Sequence, residues 1–282
     1  MLIVGGGPVG LALACELGWR GIACELVEQT DGAIASPKMN EVNTRSMEIC
    51  RRWGIADRVF NCPFPADWPL DVAFVTSLSG YELSRLPRPG RSGQAPGPES
   101  PHRMQACSQI WFDPMLRELA GTFPTVRLRY RCRLDGFVET GAAVTARVTD
   151  LAGGGRETIQ ADYLVGCDGA ASTVRRALGI ELEGQGTIGH PINLFFRAPD
   201  LVARCGKQPA TFFLGIDHSG LWGSLRIIDP RNGLWRLMID STDGNATPES
   251  VDREFYLRRA LGGAFEVEWV DVNIWRRRSA LA

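Results

Sequence analysis

A chain of 282 residues with 44% hydrophobic content can bury one large core or two ordinary ones. Its 31 lysines and arginines balance 32 aspartates and glutamates, and a formal charge of −1 argues against a nucleic-acid partner, which calls for a basic face. Eight cysteines without a CxxC pair and three scattered histidines offer no metal-ligand spacing, so the thiols read as small buried hydrophobes in a reducing, cytoplasmic setting.

The first 17 residues are apolar, but they lack a basic start and glycines break them up, so they do not read as a signal peptide. No other window has the length and purity of a membrane span. Leu2-Ile3-Val4 reads as a short buried strand, followed at once by Gly5-Gly6-Gly7-Pro8-Val9-Gly10. Residues 11–19 read as a helix and 22–27 as a second strand ending at Glu28. The spacing of Val42, Ser46, Ile49 and Trp53 predicts a helix over 40–53, stopped by Gly54. Residues 72–86 alternate like a hairpin around Ser79-Gly80, and 87–101 form a proline- and glycine-rich loop.

A helix is expected over 108–120, either beginning near Asp113 with Pro114 in its first turn or kinking there. Four short β-runs follow over 125–165, with breaks at Asp135-Gly136, at Gly141 and at the glycine turn 153–155. Arg127, Arg129, Arg131 and Arg133 alternate with apolar residues, which reads as a strand with one wet face. A short helix over 172–178 is capped by Ser172. Strands are expected over 192–197, 211–216, 221–228, 234–239 and 266–275, with one helix over 248–261. The fold class implied is α/β: a Rossmann-type dinucleotide-binding domain with a second, β-sheet-rich domain.

Gly5-x-Gly7-x-x-Gly10 alone is a weak signal, but here a buried strand precedes it, a helix follows, and an acid stands 18 residues beyond Gly10. Gly5 permits the tight turn, Gly7 lets the backbone approach a pyrophosphate, and Gly10 lets the helix pack close to the sheet. The free N–H groups and positive end of the helix hold phosphate charge, and Glu28 can take ribose hydroxyls. A second constellation, Tyr163-Leu164-Val165-Gly166-Cys167-Asp168-Gly169 running into Ser172, places Asp168 at the carboxyl end of a strand. Open α/β sheets bind ligands there, although Asp-Gly alone is more often just a turn.

Taken with the N-terminal motif, these residues resemble the class A FAD-dependent aromatic monooxygenases, the para-hydroxybenzoate and phenol hydroxylase superfamily. Two further segments carry the resemblance. Asn43-Thr44-Arg45-Ser46-Met47-Glu48 is similar to the family's helix whose arginine contacts the flavin, and the match falls on Arg45. Ser108-Gln109-Ile110-Trp111-Phe112-Asp113 is similar to the helix whose glutamine contacts the ribityl–phosphate region of FAD, and the match falls on Gln109. The residue pattern by itself also accommodates Arg45 as a solvated helix arginine and Gln109 as a helix-start residue.

The resemblance implies an FAD site built from Gly5, Gly7, Pro8, Val9, Gly10, Glu28, Gln29, Arg45, Gln109, Asp168 and Gly169. It implies NADPH or NADH as reductant, O₂ and a small aromatic substrate as the other partners, and hydroxylation through a C4a-hydroperoxyflavin. Residues 1–69 and 106–186 would form the FAD-binding domain, and 70–105 and 187–282 the substrate-domain sheet. Phe213 and Trp222 are the candidate substrate aromatics, with core packing as their competing role; no catalytic acid or base is assigned. The same motifs serve related FAD-dependent reductases and epoxidases. The family's Gly-Asp motif, followed by Ala-Ala-His, has no counterpart in the sequence. A truncated chain, even a non-catalytic FAD-binding fragment, is therefore the expectation.

Overall fold

The computed structural model describes residues 1–95, 97–241 and 243–281. Strand β1 (Leu2–Val4) is wholly buried and feeds helix α1 (Pro8–Trp19), which leads to β2 (Cys24–Glu28). Helix α1 begins with proline, whose fixed φ and missing N–H suit a first turn. It buries Gly10, Leu11, Ala14, Cys15, Leu17 and Gly18. A Cβ on Gly18 would strike Phe123 and Val126, so this glycine sets how closely the helix lies on its neighbours.

Helix α2 (Thr44–Arg52) is shorter than its apolar stripe implied. The Asn43 side chain caps it by accepting the Ser46 N–H at 2.8 Å, while Val42 pairs as an isolated β-bridge with Gln105. Helix α3 (Ala56–Phe60) follows, then the hairpin β3 (Val72–Val75) and β4 (Glu82–Leu86). The proline-rich loop is anchored through Arg91, which is 5% exposed and donates to the carbonyls of Phe60 and Phe64.

Helix α4 (Gln109–Thr122) runs through Pro114 and starts behind Ser108, so Pro114 lies in its second turn. The next strands are β5 (Val126–Tyr130), β6 (Cys132–Glu139), β7 (Val144–Asp150), β8 (Arg156–Ala161) and β9 (Leu164–Gly166). The alternating arginines do not form one strand, because Arg131 takes a φ of 54° and turns the chain between β5 and β6. Nor is their face simply wet: Arg129 pairs with Glu25 at 3.0 Å and with Glu157. Asp135-Gly136 does not end a strand but sits at an irregularity inside β6.

After helix α5 (Thr173–Ala177) come β10 (Glu183–Gly189), β11 (Ile192–Arg197), helix α6 (Leu201–Arg204), β12 (Phe212–Asp217), β13 (Gly220–Asp229) and β14 (Leu234–Ile239). Helix α7 (Arg253–Leu261) begins five residues later than the pattern implied, capped by Asp252, and β15 (Glu268–Ile274) and β16 (Arg277–Leu281) close the described chain.

The molecule is a two-lobed α/β structure. A four-stranded sheet in the order β5-β2-β1-β9 has parallel pairing throughout, with α1 and α4 packed on it around an apolar cluster that includes Ile3, Leu11, Leu26 and Leu116. A seven-stranded sheet runs β15-β11-β14-β13-β12-β3-β4. One face of it carries the second core, with Leu194, Phe196, Phe213, Leu225, Trp235 and Leu237 packed beneath α7. No helix among the described residues is long and apolar enough to cross a membrane.

Candidate FAD and substrate sites

The carboxyl ends of three adjacent parallel strands meet at one edge of the four-stranded sheet. β1 delivers the glycine loop, β2 delivers Glu28, and β9 delivers Asp168. Gly5 has a φ of 110°, and a Cβ there would collide with the Cys167 carbonyl. Gly10 lies against the Gly5 carbonyl. Gly7 differs from both: nothing lies within 4 Å of where its Cβ would point. It caps α1 without a side chain, and the amides of Val9 and Gly10 lie in the first turn, where a helix has no internal acceptor for them. Open space in front of unpaired amides at a helix N-terminus is the arrangement a pyrophosphate requires. The residues present therefore fit a dinucleotide.

Glu28 is half-buried beside that loop. Its Oε2 accepts the Gly6 N–H at 2.7 Å, and its Oε1 accepts the Thr30 N–H at 2.8 Å. The carboxylate is thus held at the loop's rim, next to the exposed Gln29. Asp168 is engaged locally. Its Oδ1 accepts from the Ser172 hydroxyl at 2.5 Å, and its Oδ2 accepts the amides of Thr173 at 2.6 Å and Val174 at 3.2 Å. It therefore anchors the start of α5, with the exposed Gly169 turning at a φ of 77°.

Gln109 is 6% exposed and belongs to a polar stripe on α4 that continues at Asp113 and Arg117. Its Nε2 donates to Asp113 Oδ2 at 2.9 Å, and its Oε1 accepts the Lys38 N–H at 2.9 Å. Arg117 donates to the Gly32 carbonyl at 2.7 Å and lies over the Tyr130 ring. The stripe thereby clamps the loop between Glu28 and α2. Asp113 Oδ1, Arg117 Nε and the Tyr130 hydroxyl are buried without protein partners. Burial pushes the Asp113 carboxyl up to about 6, against the Gln109 hydrogen bond and the Arg117 charge. Arg45 lies apart from this stripe, at the exposed start of α2, paired with Glu48 at 2.8 Å.

Phe213 and Trp222 lie within the second core, at 1% and 7% exposure. Phe213 packs near Trp235, and Trp222 lies between Gly215 and the Arg259 guanidinium. The opposite face of the same sheet turns toward the glycine-loop lobe. Strand register lays out one row there as Asp271, Phe195, Arg236, Arg226 and Phe212, and the next as Asn273, Asn193, Met238, Ser224 and Leu214. Arg226 reaches across to Glu41 at 2.9 Å, and Ser36 donates to Asp271. Ile110 packs on Phe195, Ile228 and Leu234. Beside that contact, a cavity of about 560 Å³ is lined by Ile34, Ala35, Ile110, Leu234 and Val270 with Arg197, Asp229 and Asn232.

This polar face is absent from the sequence reading. Its signal was available: Ser224, Arg226, Arg236 and Met238 recur at alternate positions within otherwise apolar strands.

Residues 1–281 match the family described as FAD binding domain. The FAD-dependent monooxygenase apdD of Emericella nidulans is 32% identical over 220 residues, 74% of this chain and 34% of that protein. A 4-methyl-5-nitrocatechol 5-monooxygenase of Burkholderia sp. is 30% identical over all of this chain and 52% of its own length. Among solved structures, the rebeccamycin biosynthetic enzyme RebC with reduced flavin superposes with a TM-score of 0.89 at 38% identity, covering 99% of this chain and 52% of that one. The flavin-dependent monooxygenase PieE, in complex with FAD and substrate, gives 0.83 at 27% identity over 99% of this chain and 50% of that one. The chain thus spans about a third to a half of the length of these relatives. It belongs to the FAD-binding-domain family and has the fold of the class A flavin-dependent monooxygenases.

Proposed function

We propose that the chain is the FAD-binding and substrate-facing part of an NAD(P)H-dependent monooxygenase that hydroxylates a phenolic or other aromatic compound in the cytoplasm. The observation that carries this reading is the convergence of the Gly5–Gly10 loop, Glu28 and Asp168 on one edge of a parallel sheet, with open space in front of Gly7. Residues 1–69 and 106–186 form the FAD-binding domain in this reading, and 70–105 and 187–282 the substrate domain. The relatives support the chemistry: one is a nitrocatechol monooxygenase, and another was solved with FAD and substrate.

FAD, when bound, would supply the redox and O₂-activating chemistry, with NADPH or NADH as reductant. The protein's own residues bind and orient. The amides of Gly7, Val9 and Gly10, with Pro8 fixing the turn, take the pyrophosphate. Glu28 exchanges its hold on the Gly6 amide for ribose hydroxyls, with Gln29 at the rim. Asp168, Gly169 and Gln109 would hold the ribityl–phosphate segment, and Arg45 the flavin. The polar face of the large sheet covers the flavin and holds the aromatic substrate away from bulk water.

Fluorescence titration of the purified chain with FAD tests the site. Saturable quenching is expected, and Glu28→Ala weakens it by about 1–3 kcal/mol. Absence of saturable quenching overturns the assignment, and an unchanged Kd in the variant removes Glu28 from the ribose. Phenol-stimulated NADPH oxidation with incorporation of oxygen separates a monooxygenase from a reductase of the same fold.

A further inference from the structure

Five of the eight cysteines, Cys15, Cys24, Cys50, Cys62 and Cys107, share the apolar cluster of the glycine-loop lobe. Burial pushes the thiols of Cys15, Cys24 and Cys50 up, as it does for any thiol in apolar surroundings. Cys62 differs because a guanidinium reaches it. Arg91 Nη1 lies 3.5 Å from Cys62 Sγ, and both residues are buried, at 5% and 3% exposure. The other hydrogen bonds of Arg91 go to the carbonyls of Phe60, Cys62 and Phe64, and its guanidinium lies 5.5 Å from the centre of the Phe60 ring. Among the described residues, no carboxylate forms an ion pair with it. A buried cation calls for an anion, and the sulfur of Cys62 is the ionisable group bonded to it.

Cys107 supplies a second sulfur. It is fully buried beside Cys62, and the two thiols share a hydrogen bond. The Sγ–H of Cys62, when present, donates to the carbonyl of Ala106, the residue before Cys107, at 3.3 Å. The hydrogen bond from Cys107, with help from Arg91 and against burial, holds the Cys62 thiol below its ordinary value, and Cys107 is pushed up in return. One sulfur is thus prepared as a nucleophile, and the other waits beside it as a protonated thiol. The segment that covers the pair is lightly held. From Leu86 to Ala95 every residue is exposed except Gly90, Arg91 and the half-buried Gln94. Arg91 is therefore the buried side chain that pins this segment, helped by hydrogen bonds such as Ser92 N–H to the Ala66 carbonyl at 3.0 Å. A segment fixed this way opens locally far more often than the whole lobe unfolds, which admits a molecule as small as hydrogen peroxide.

We propose that Cys62 and Cys107 are a peroxide-oxidisable pair, and that their disulfide frees the segment carrying Arg91. The Cys62 thiolate attacks one oxygen of hydrogen peroxide and the O–O bond breaks. The departing hydroxide takes up the proton that Cys62 had released and leaves as water. Cys107 then attacks the sulfur of the sulfenic acid so formed, making the S–S bond. The sulfenic hydroxyl and the Cys107 proton leave as a second water, so the two sulfurs lose the two electrons that the peroxide gains. Arg91 is then buried among carbonyls alone, without its anion, and the segment loses its anchor.

Hydrogen peroxide titration of the purified, reduced chain tests the pair, with alkylation and peptide mass mapping as the readout. A Cys62–Cys107 disulfide is expected first, formed roughly tenfold ahead of any change at the other cysteines. Tryptic cleavage after Arg91 speeds up by about the same factor, and dithiothreitol reverses the effect. Cys107→Ala stops at the sulfenic acid, which a dimedone probe captures on Cys62. Arg91→Met slows the oxidation of Cys62, and Arg91→Lys restores it. Circular dichroism identifies the variants that are folded. Oxidation that begins at another cysteine, or no cross-link below the peroxide concentration that unfolds the chain, overturns the pair. An Arg91→Met chain that reacts as fast as the parent or faster overturns the role of the guanidinium. A disulfide that leaves the bond after Arg91 resistant to trypsin overturns the release of the segment.

Discussion

At Gly7 an added Cβ would point into open space, whereas at Gly5 and Gly10 it would meet backbone carbonyls. The three glycines of one motif therefore separate into two that the packing of the fold needs and one that it does not. Gly7→Val is expected to stay folded, losing about 1 kcal/mol through its poorer N-cap, while losing FAD binding, because the new side chain fills the pyrophosphate position. Gly10→Val, by contrast, lowers the melting temperature first. A Gly7→Val chain that keeps full FAD affinity in a fluorescence titration would falsify the cradle. The positions of Gly5 and Glu28 at strand ends were legible because they depend on local spacing along a βαβ unit, and that of Asp168 because a short apolar strand runs into an Asp-Gly turn. The polar face of the large sheet was not read: the alternation marks it as the face away from the core, but what it turns toward depends on contacts between distant residues. Phe212 and Phe213 are the case in point: Phe213 is buried under α7's cluster, and its neighbour Phe212 stacks with Arg226 on the other side.

Strands with strong patterning were read closely, and those over 192–197 and 234–239 match residue for residue, whereas the capped helices α2 and α7 begin four and five residues later than their patterns implied. The strands β10 and β16 escaped, since they pair only with each other and β10 is exposed along all but its last residue, so neither shows an amphipathic pattern. Helix α4 shows what its sequence concealed. Pro114 sits inside it, and one face carries Gln109, Asp113 and Arg117 into the interior. Asp113 is 1% exposed with a carboxyl pushed up to about 6, so the folded state favours its protonated form. A raised carboxyl contributes stability that is complete below its unfolded value near 4 and is lost as pH rises through 6. The loss amounts to about 3 kcal/mol at neutral pH. Asp113→Asn keeps an acceptor for Gln109 and cannot ionise. Urea unfolding at pH 4 and pH 7 is therefore expected to show the variant gaining on the parent by about that amount as the pH rises. A constant difference between the two proteins across that range would remove Asp113 as the titrating group.

At the scale of the whole chain, the two largest sheets are built from interleaved segments, since β3 and β4 join the seven-stranded sheet from between strands of the four-stranded one. How the lobes hold together was not visible, because it depends on contacts between distant residues. Contacts of different kinds join them: the Glu41–Arg226 ion pair, the Ser36–Asp271 hydrogen bond, Trp68 packed against both apolar clusters, and Ile110 of α4 packed against Phe195, Ile228 and Leu234 of the large sheet. Ile110 is an apolar member and stands at the second position of its helix. An acid there suits the helix N-terminus, so Ile110→Asp leaves α4 intact while placing a charge against an apolar surface. The cost, on the order of a few kcal/mol, falls on the contact between lobes rather than on either core. In the parent, backbone amides of β1 and β2 should exchange hydrogen with the same opening free energy as those of β11 and β14, because one cooperative unfolding exposes both. In Ile110→Asp the two sets should separate, with each sheet opening independently. If both sets shift by the same amount and remain together, the lobes are coupled through the interleaved chain and not through this contact.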